Sequence, residues 1–233
     1  MPPTPKAGAS PLESDRLSSA ERAYRALKEL ILTNELPAGS QLLEQEAALR
    51  LGMSRTPVRE AMVRLEKDGV VAIRPRHGMR VLPVSAADMR EIYEVLTSLE
   101  ATAAELVARR GVTVAELQDL ERAVAEMEDA LAADDLDAWA RADQRFHELL
   151  VALSRNQRLQ QMVTQLSDQA HRARMLTLRL RPRPTSSNRD HAMLVAAIAA
   201  RDPLAAKSIH HEHRAKAGKV LVELLETLGF SQL

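Results

Sequence analysis

Asp143 and His147 stand four residues apart in a segment, Arg141 to Leu150, whose apolar residues repeat at helical spacing. On a helix that spacing puts both side chains on one face, and Phe146 and Leu150 turn the face inward. His191 shares a stripe with Leu194, Val195 and Ile198, and His213 shares one with Ile209, Val220 and Leu224. Three imidazoles and a carboxylate on inward faces of three helices suit a divalent ion such as zinc, with nickel or manganese as alternatives. Helical bundles commonly assemble such sites. Two blander readings stand beside that one. A histidine on an apolar face can be a hydrogen-bonded core residue, and Asp143 with His147 can be a helix-stabilising i,i+4 pair. His210 and His211 fall off the stripe and read as surface residues or as supports behind the ligands. His171 could line a cavity but has no motif around it.

A second set of residues is basic. Residues 50–80 carry eight Arg and Lys against the acids Glu60, Glu66 and Asp68, in a chain whose 32 basic and 32 acidic residues cancel. Arg55 and Arg59 are four apart and share a helix face, from which they could pair bidentately with guanine or clamp phosphates. The Ser54 and Thr56 hydroxyls at the start of that helix suit phosphate oxygens. Arg76, His77 and Gly78 fall at the tip of a basic turn, within reach of DNA backbone or minor groove.

The elements that must hold these side chains can be read from the punctuation. A helix runs from Ala20 to about Ile31, and Pro37 and Gly39 break the pattern after it. A short helix from Leu43 to Leu51 stops at Gly52, a left-handed C-cap. Ser54 caps the next helix, with Pro57 in its first turn, and that helix ends near Asp68-Gly69. Val70 to Ile73 and Met79 to Leu82 read as two strands around Arg74 to Gly78. That order is a winged helix-turn-helix at 20–83. From Ser85 onward helices are expected at about 86–110, 114–133, 136–154, 157–180, 187–200 and 203–228, packed as an antiparallel bundle over 85–230. The fold class is therefore mainly α. Aromatics are 2% of the chain against 45% hydrophobic residues, so Leu, Ala, Val and Met fill the core and favour helix over sheet.

Residues 1–19 carry four prolines and no apolar periodicity, and read as a flexible arm. The absence of cysteine excludes disulfides and thiolate chemistry. The longest apolar run, Ala192 to Ala200, is far short of the roughly 20 residues a membrane helix needs, so no membrane partner and a cytoplasmic location are expected.

The run Gly39-Ser40, then Leu51-Gly52-Met53-Ser54-Arg55-Thr56-Pro57-Val58-Arg59-Glu60-Ala61, then Arg64-Leu65-Glu66-Lys67-Asp68-Gly69 resembles the GntR family of bacterial transcription regulators. The helical remainder resembles its FadR subgroup, whose effector-binding part is the FCD domain. The resemblance spans about residues 20 to 230 and implies that Arg55, Thr56 and Arg59 contact operator DNA, with Arg74 to Arg80 as the wing. Gln45 stands where the family often carries a DNA-touching Arg. The metal-binding branch of the FCD domain has an Asp-x-x-x-His pair, a His opening a late helix and a His in the last one. Asp143, His147, His191 and His213 match it. The resemblance also implies a small organic acid as effector, with Arg172 and Arg174 as candidate anchors. Where relatives often place an Arg, Tyr93-Glu94-Val95 is followed here by Leu96 and Thr97, which leaves Thr97 as a candidate effector contact.

A groove-reading head works as a homodimer on a two-fold double-stranded operator, so a ligand-responsive repressor is the expected function, not an enzyme. Two alternatives keep the same residues. The metal could be catalytic, although Glu148 is the nearest acid/base candidate and lies off the His147 face. Or the metal could be purely structural, with DNA binding unregulated.

Overall fold

The computed structural model describes residues 17–228. The chain forms two compact units that divide between Leu82 and Pro83. Most of the arm expected at 1–19 lies outside the described residues. Its boundary moves, because Ser19 already begins a helix capped by the Ser18 side chain, which accepts from the Glu21 N–H.

The first unit runs α1 (Ser19–Leu32), β1 (Gln41–Leu42), α2 (Glu44–Leu51), α3 (Arg55–Lys67), β2 (Val71–Arg74) and β3 (Gly78–Val81). Its three antiparallel strands are ordered β1-β3-β2, with Gln41 opposite Arg80 and Val71 opposite Val81. The two-residue β1 escaped the sequence reading because two residues carry no alternation. Ala23, Leu27 and Ile31 of α1 pack on Val58, Met62 and Leu65 of α3 and on Val71, Met79 and Val81 of the sheet. Gly52 ends α2 in the left-handed region, at φ +61°. Ser54 is the N-cap of α3, but its side chain makes no capping hydrogen bond.

The second unit holds α4 (Ala86–Arg110), α5 (Val114–Ala132), α6 (Leu136–Leu153), α7 (Gln157–Thr177), α8 (Thr185–Ala199) and α9 (Pro203–Thr227). A 3-10 turn at Leu178–Leu180 replaces the end of the helix expected to reach residue 180. Three connections repeat one solution. Asp134, Arg155 and Arg201 each take a positive φ just past a helix end, and the following Asp135, Asn156 and Asp202 each cap the next helix through the side chain. The left-handed residue satisfies the last carbonyls of one helix and the Asx residue the first N–H groups of the next. The chain therefore reverses in very few residues.

Two apolar clusters fill this unit. One joins the C-terminal part of α4 (Ala104, Val107) to α5, α6 and α8 through Leu120, Met127, Phe146, Leu150, Leu194 and Ile198. The other joins the N-terminal part of α4 (Met89, Tyr93, Leu96) to α7 and the end of α9 (Leu221, Leu225). In register, Glu100 on α4 and His210, His213 and Arg214 on α9 fall between them, and all four are buried.

α4 and α9 form the most extensive helix pair of the unit, and Gly218 permits it. A Cβ there would stand 2.7 Å from Cδ1 of Tyr93 and 2.9 Å from its Cβ. The Tyr93 Cβ cannot swing away, so Gly218→Ala is expected to cost about 1–3 kcal/mol of overpacking, exceeding the roughly 0.5–1 kcal/mol that alanine gains in a helix. A thermal melt should show a Tm several degrees below the parent's.

Candidate nucleic-acid face and candidate metal centre

In the first unit, α2, α3 and the β2–β3 hairpin enclose a concave surface of about 620 Å³ lined by Gln45, Arg55, Arg59, Arg74, Arg76 and Gly78, among others. Five of the expected contact residues, Gln45, Arg55, Arg59, Arg76 and Gly78, thus line one face, and Ser54 and Thr56 are exposed beside it at the head of α3, next to Arg55. Glu44, which opens α2, restrains the arginines, its carboxylate lying 3.2 Å from Arg55 Nη2 and 3.7 Å from Arg59 Nε. The hairpin is tied to α3 by the Ile73 N–H, which donates to Glu66 Oε1 at 2.7 Å.

The tip is strained in a telling way. The His77 N–H donates to the Arg74 carbonyl, with Pro75 and then Arg76 at φ +67° between them. That is the pattern of a type II turn, whose third position favours Gly or Asn. An arginine there keeps charge at the tip at a cost in backbone energy.

In the second unit, α6, α8 and α9 bring His147, His191 and His213 together, each buried, with one ligand nitrogen apiece and all three within 4.8 Å of one another. Asp143 Oδ1 lies 3.6 Å from His147 Nε2 and 3.8 Å from His191 Nε2. All four expected metal residues therefore converge. His147 Nε2 and both nitrogens of His191 are buried without a hydrogen-bond partner, and His213 Nδ1 lies 3.4 Å from Asp190 Oδ2. Buried polar atoms are rarely left unpaired. Unpaired imidazole nitrogens facing a carboxylate are the donor set a divalent ion takes, so the residues fit a metal.

Titration behaviour agrees for His191 and His213. Burial drives His191 well below the usual imidazole range, with neighbouring His213 adding to it, and burial also lowers His213. Both are thus neutral, lone pair available, at neutral pH. His147 goes the other way: burial pulls it down, but the Glu100 and Asp143 carboxylates outweigh that and raise it. Burial alone would raise Asp143, yet His147 and Arg174 hold it well below the usual carboxylate range.

Beside His147 lies a cavity of about 180 Å³ lined by Glu100, Gln144, Arg174 and Arg214 with the apolar Val151 and Val163. Arg174 is buried and its Nη2 donates to Gln144 Oε1 at 2.5 Å. The other two expected effector contacts fall elsewhere. Arg172 is buried on α7 but does not line this cavity. Thr97 lines a different cavity, between α4 and α9, with Tyr93, His211 and Gly218. Thr97 lies one helical turn before Glu100 on α4, and the two residues line different cavities.

The stripe expected on α9 was rotated by one residue. Its buried face is Ala206, His210, His213, Arg214, Leu221 and Leu225, while Val220 is exposed. His210 is accordingly fully buried, its Nε2 3.0 Å from Glu100 Oε2, rather than on the surface; His211 is exposed as expected. Burial lowers the His210 imidazole to about 3. Glu100 escaped the sequence reading, although it interrupts the apolar series Met89, Tyr93, Leu96, Ala103, Val107 at heptad spacing. An acid in such a series is the signal that finds it.

A winged helix-turn-helix followed along the chain by a histidine-bearing helical bundle defines a DNA-binding regulator with a ligand domain. Residues 19–81 match the bacterial regulatory proteins of the gntR family and residues 91–216 match the FCD domain. The uncharacterized HTH-type transcriptional regulator YdhC of Bacillus subtilis is 32% identical over 86% of this chain and 91% of its own. The HTH-type transcriptional repressor RspR of Escherichia coli is 27% identical over 83% of this chain and 84% of its own. The solved structure of E. coli McbR/YncC superposes with a TM-score of 0.78 at 22% identity, over 89% of this chain and 99% of that one, and shows the fold. The chain belongs to the GntR family of transcriptional regulators and carries an FCD domain, the family's small-molecule effector domain. The relatives are named transcriptional regulators, not enzymes. Among the described residues no helix is long and apolar enough to cross a membrane.

The hairpin geometry yields a paired prediction. Arg76→Gly relieves the positive φ and should leave the head as stable as the parent, or raise its stability by up to ~1 kcal/mol. Gly78→Ala should do the opposite, because φ is +69° and its Cβ would meet the Leu42 carbonyl oxygen at 2.3 Å; a loss of about 2 kcal/mol or more is expected. Chemical denaturation of both variants checks the pair.

Proposed function

We propose that this protein is a cytoplasmic homodimeric repressor whose operator binding responds to a small organic acid held at a divalent metal. The observation that carries the reading is the set of unpaired imidazole nitrogens on His147 and His191, gathered with His213 around Asp143. Zinc suits three neutral imidazoles and a carboxylate, and nickel or manganese accepts the same donors. Asp143, His147, His191 and His213 hold the ion, which supplies positive charge and open coordination positions when bound. The effector carboxylate lies in the adjoining cavity, where Arg174 is the protein's own cation toward it.

At the head, α3 enters the major groove. Arg55 and Arg59 read bases or clamp phosphates, and the Ser54 and Thr56 hydroxyls with the first N–H groups of α3 bind the backbone. Arg76 and His77 reach past the groove edge from the wing, and Gly78 lets the hairpin close under them. Gln45 offers an amide where a longer cation is common, which changes the contact from phosphate clamp to base-edge hydrogen bond. Dimerisation doubles this contact set on a two-fold operator, and RspR, named a repressor, supports the direction of control.

Elemental analysis of untagged protein is expected to find one divalent ion per chain, lost in His191→Ala. No uptake after incubation with zinc, nickel and manganese would sink the metal reading and leave the head intact. For DNA, Arg55→Ala or Arg59→Ala should each weaken binding to the gene's own upstream sequence by about 1–3 kcal/mol, and a phosphate contact should lower the salt slope by about one. In fluorescence anisotropy with metal-loaded protein, an effector acid should shift operator affinity by about 1–3 kcal/mol. Arg174→Gln should abolish that shift while sparing DNA binding without effector.

A further inference from the structure

Glu100 belongs to neither set of residues that the sequence singles out, yet it is tied to more of the buried polar seam than any other carboxylate in it. Its side chain is 2% exposed. Oε2 lies 2.9 Å from His147 Nδ1 and 3.0 Å from His210 Nε2, and Oε1 lies 3.1 Å from Arg214 Nη2. The Arg214 guanidinium against Oε1 pairs with the group as a carboxylate.

An ionised carboxylate only accepts hydrogen bonds. The imidazole nitrogen facing it must therefore carry the hydrogen, and in a neutral ring that leaves the lone pair on the other nitrogen. For His147 the nitrogen facing Glu100 is Nδ1. The other, Nε2, is the buried atom without a partner, turned toward Asp143. We infer that Glu100 is a positioning residue that fixes the tautomer and ring orientation of His147 so that Nε2 faces the ion, and that holds His210 outside the ligand set. This rests on the metal reading above.

A competing use of the same atoms is a second ion. Glu100, His147 and His210 also bring ligand atoms within 4.8 Å of one another. Arg214 argues against it, because its guanidinium already lies against the Glu100 carboxylate and a second divalent ion would be pressed against a fixed cation. The carboxylate is neutralised by protein, and its remaining capacity is spent on two imidazole N–H groups.

The test combines metal affinity with a direct view of the ring. In zinc-loaded wild-type protein, two-bond 1H–15N correlation should show His147 protonated at Nδ1 with zinc on Nε2. Hydrogen on Nε2 overturns the proposal without any variant. Glu100→Gln keeps a carbonyl oxygen for Arg214 but removes the charge and admits either His147 tautomer, while Glu100→Asp keeps the charge and withdraws the oxygens by one methylene. Both should bind zinc about 10–100-fold more weakly in chelator competition, and the Gln variant should show mixed His147 signals. Zinc affinity within twofold of wild type in both variants, with the His147 signals unchanged, overturns the inference. Zinc binding to one ion per chain in the wild type keeps that failure separate from a failure of the metal site itself. A wild type that takes up no zinc removes both.

Discussion

Taking ionisable groups out of water is the constraint around which the second unit is built. An unpaired buried charge costs several kcal/mol, and a buried polar atom without a partner a few. The bundle nevertheless encloses Glu100, Asp143, four histidines and Arg214 between two apolar clusters. Most of that group is matched internally: Arg214 and two imidazoles against Glu100, His213 against Asp190. What is left over is confined to a few nitrogens on His147, His191 and His210 and one on Arg214. Desolvation makes an imidazole nitrogen that nothing inside the protein satisfies a strong acceptor of something brought from outside.

The first unit works by the opposite economy, since its functional side chains are in water. Surface ion pairs such as Glu44 with Arg55 and Arg59 contribute little to stability. Their effect is on geometry: Glu44 holds the Arg55 and Arg59 guanidinium groups together at the start of α3. Core positions carry the stability instead, with Leu27, Val58 and Leu65 wholly buried. That separation frees the exposed face of α3 and the hairpin tip to carry residues, Arg76 among them, that serve no packing role.

Much of this was legible in the sequence, for reasons that differ by element. Apart from the end of α7, helix boundaries in the second unit fall within a residue or two of those expected because caps and left-handed stops are local: Thr113 with Glu116 makes a capping box, and Asp202 followed by Pro203 opens α9. Asp143, His147, His191 and His213, the residues expected to hold a metal, converge because two lie one helical turn apart on α6 and each of the others sits on a buried face. Of the two readings of His210, surface residue or support behind the ligands, only the first fails, because α9 packs through small residues. Ala206 and Gly218 bury well without marking a stripe, so larger Val220 and Leu224 drew the periodicity to a neighbouring face. Thr97 is a candidate from its place after Tyr93-Glu94-Val95 and Arg172 from its charge alone, whereas the cavity is lined by whichever face of α4 and α7 the packing turns inward. Strand β1 depends on pairing with β3 alone and has no local signature.

The interlocking of Gly218 with the Tyr93 ring bears on how a signal can travel. Helices that touch through long side chains absorb small displacements by rotamer changes at the contact. Here the α9 backbone rests against an aromatic ring on α4 with no side chain between them. A shift of α9 at His213 has little slack in which to dissipate, so α4 and α9 should behave as one stiff lever. Along the chain, α4 begins at Ala86, a few residues after the last strand of the first unit.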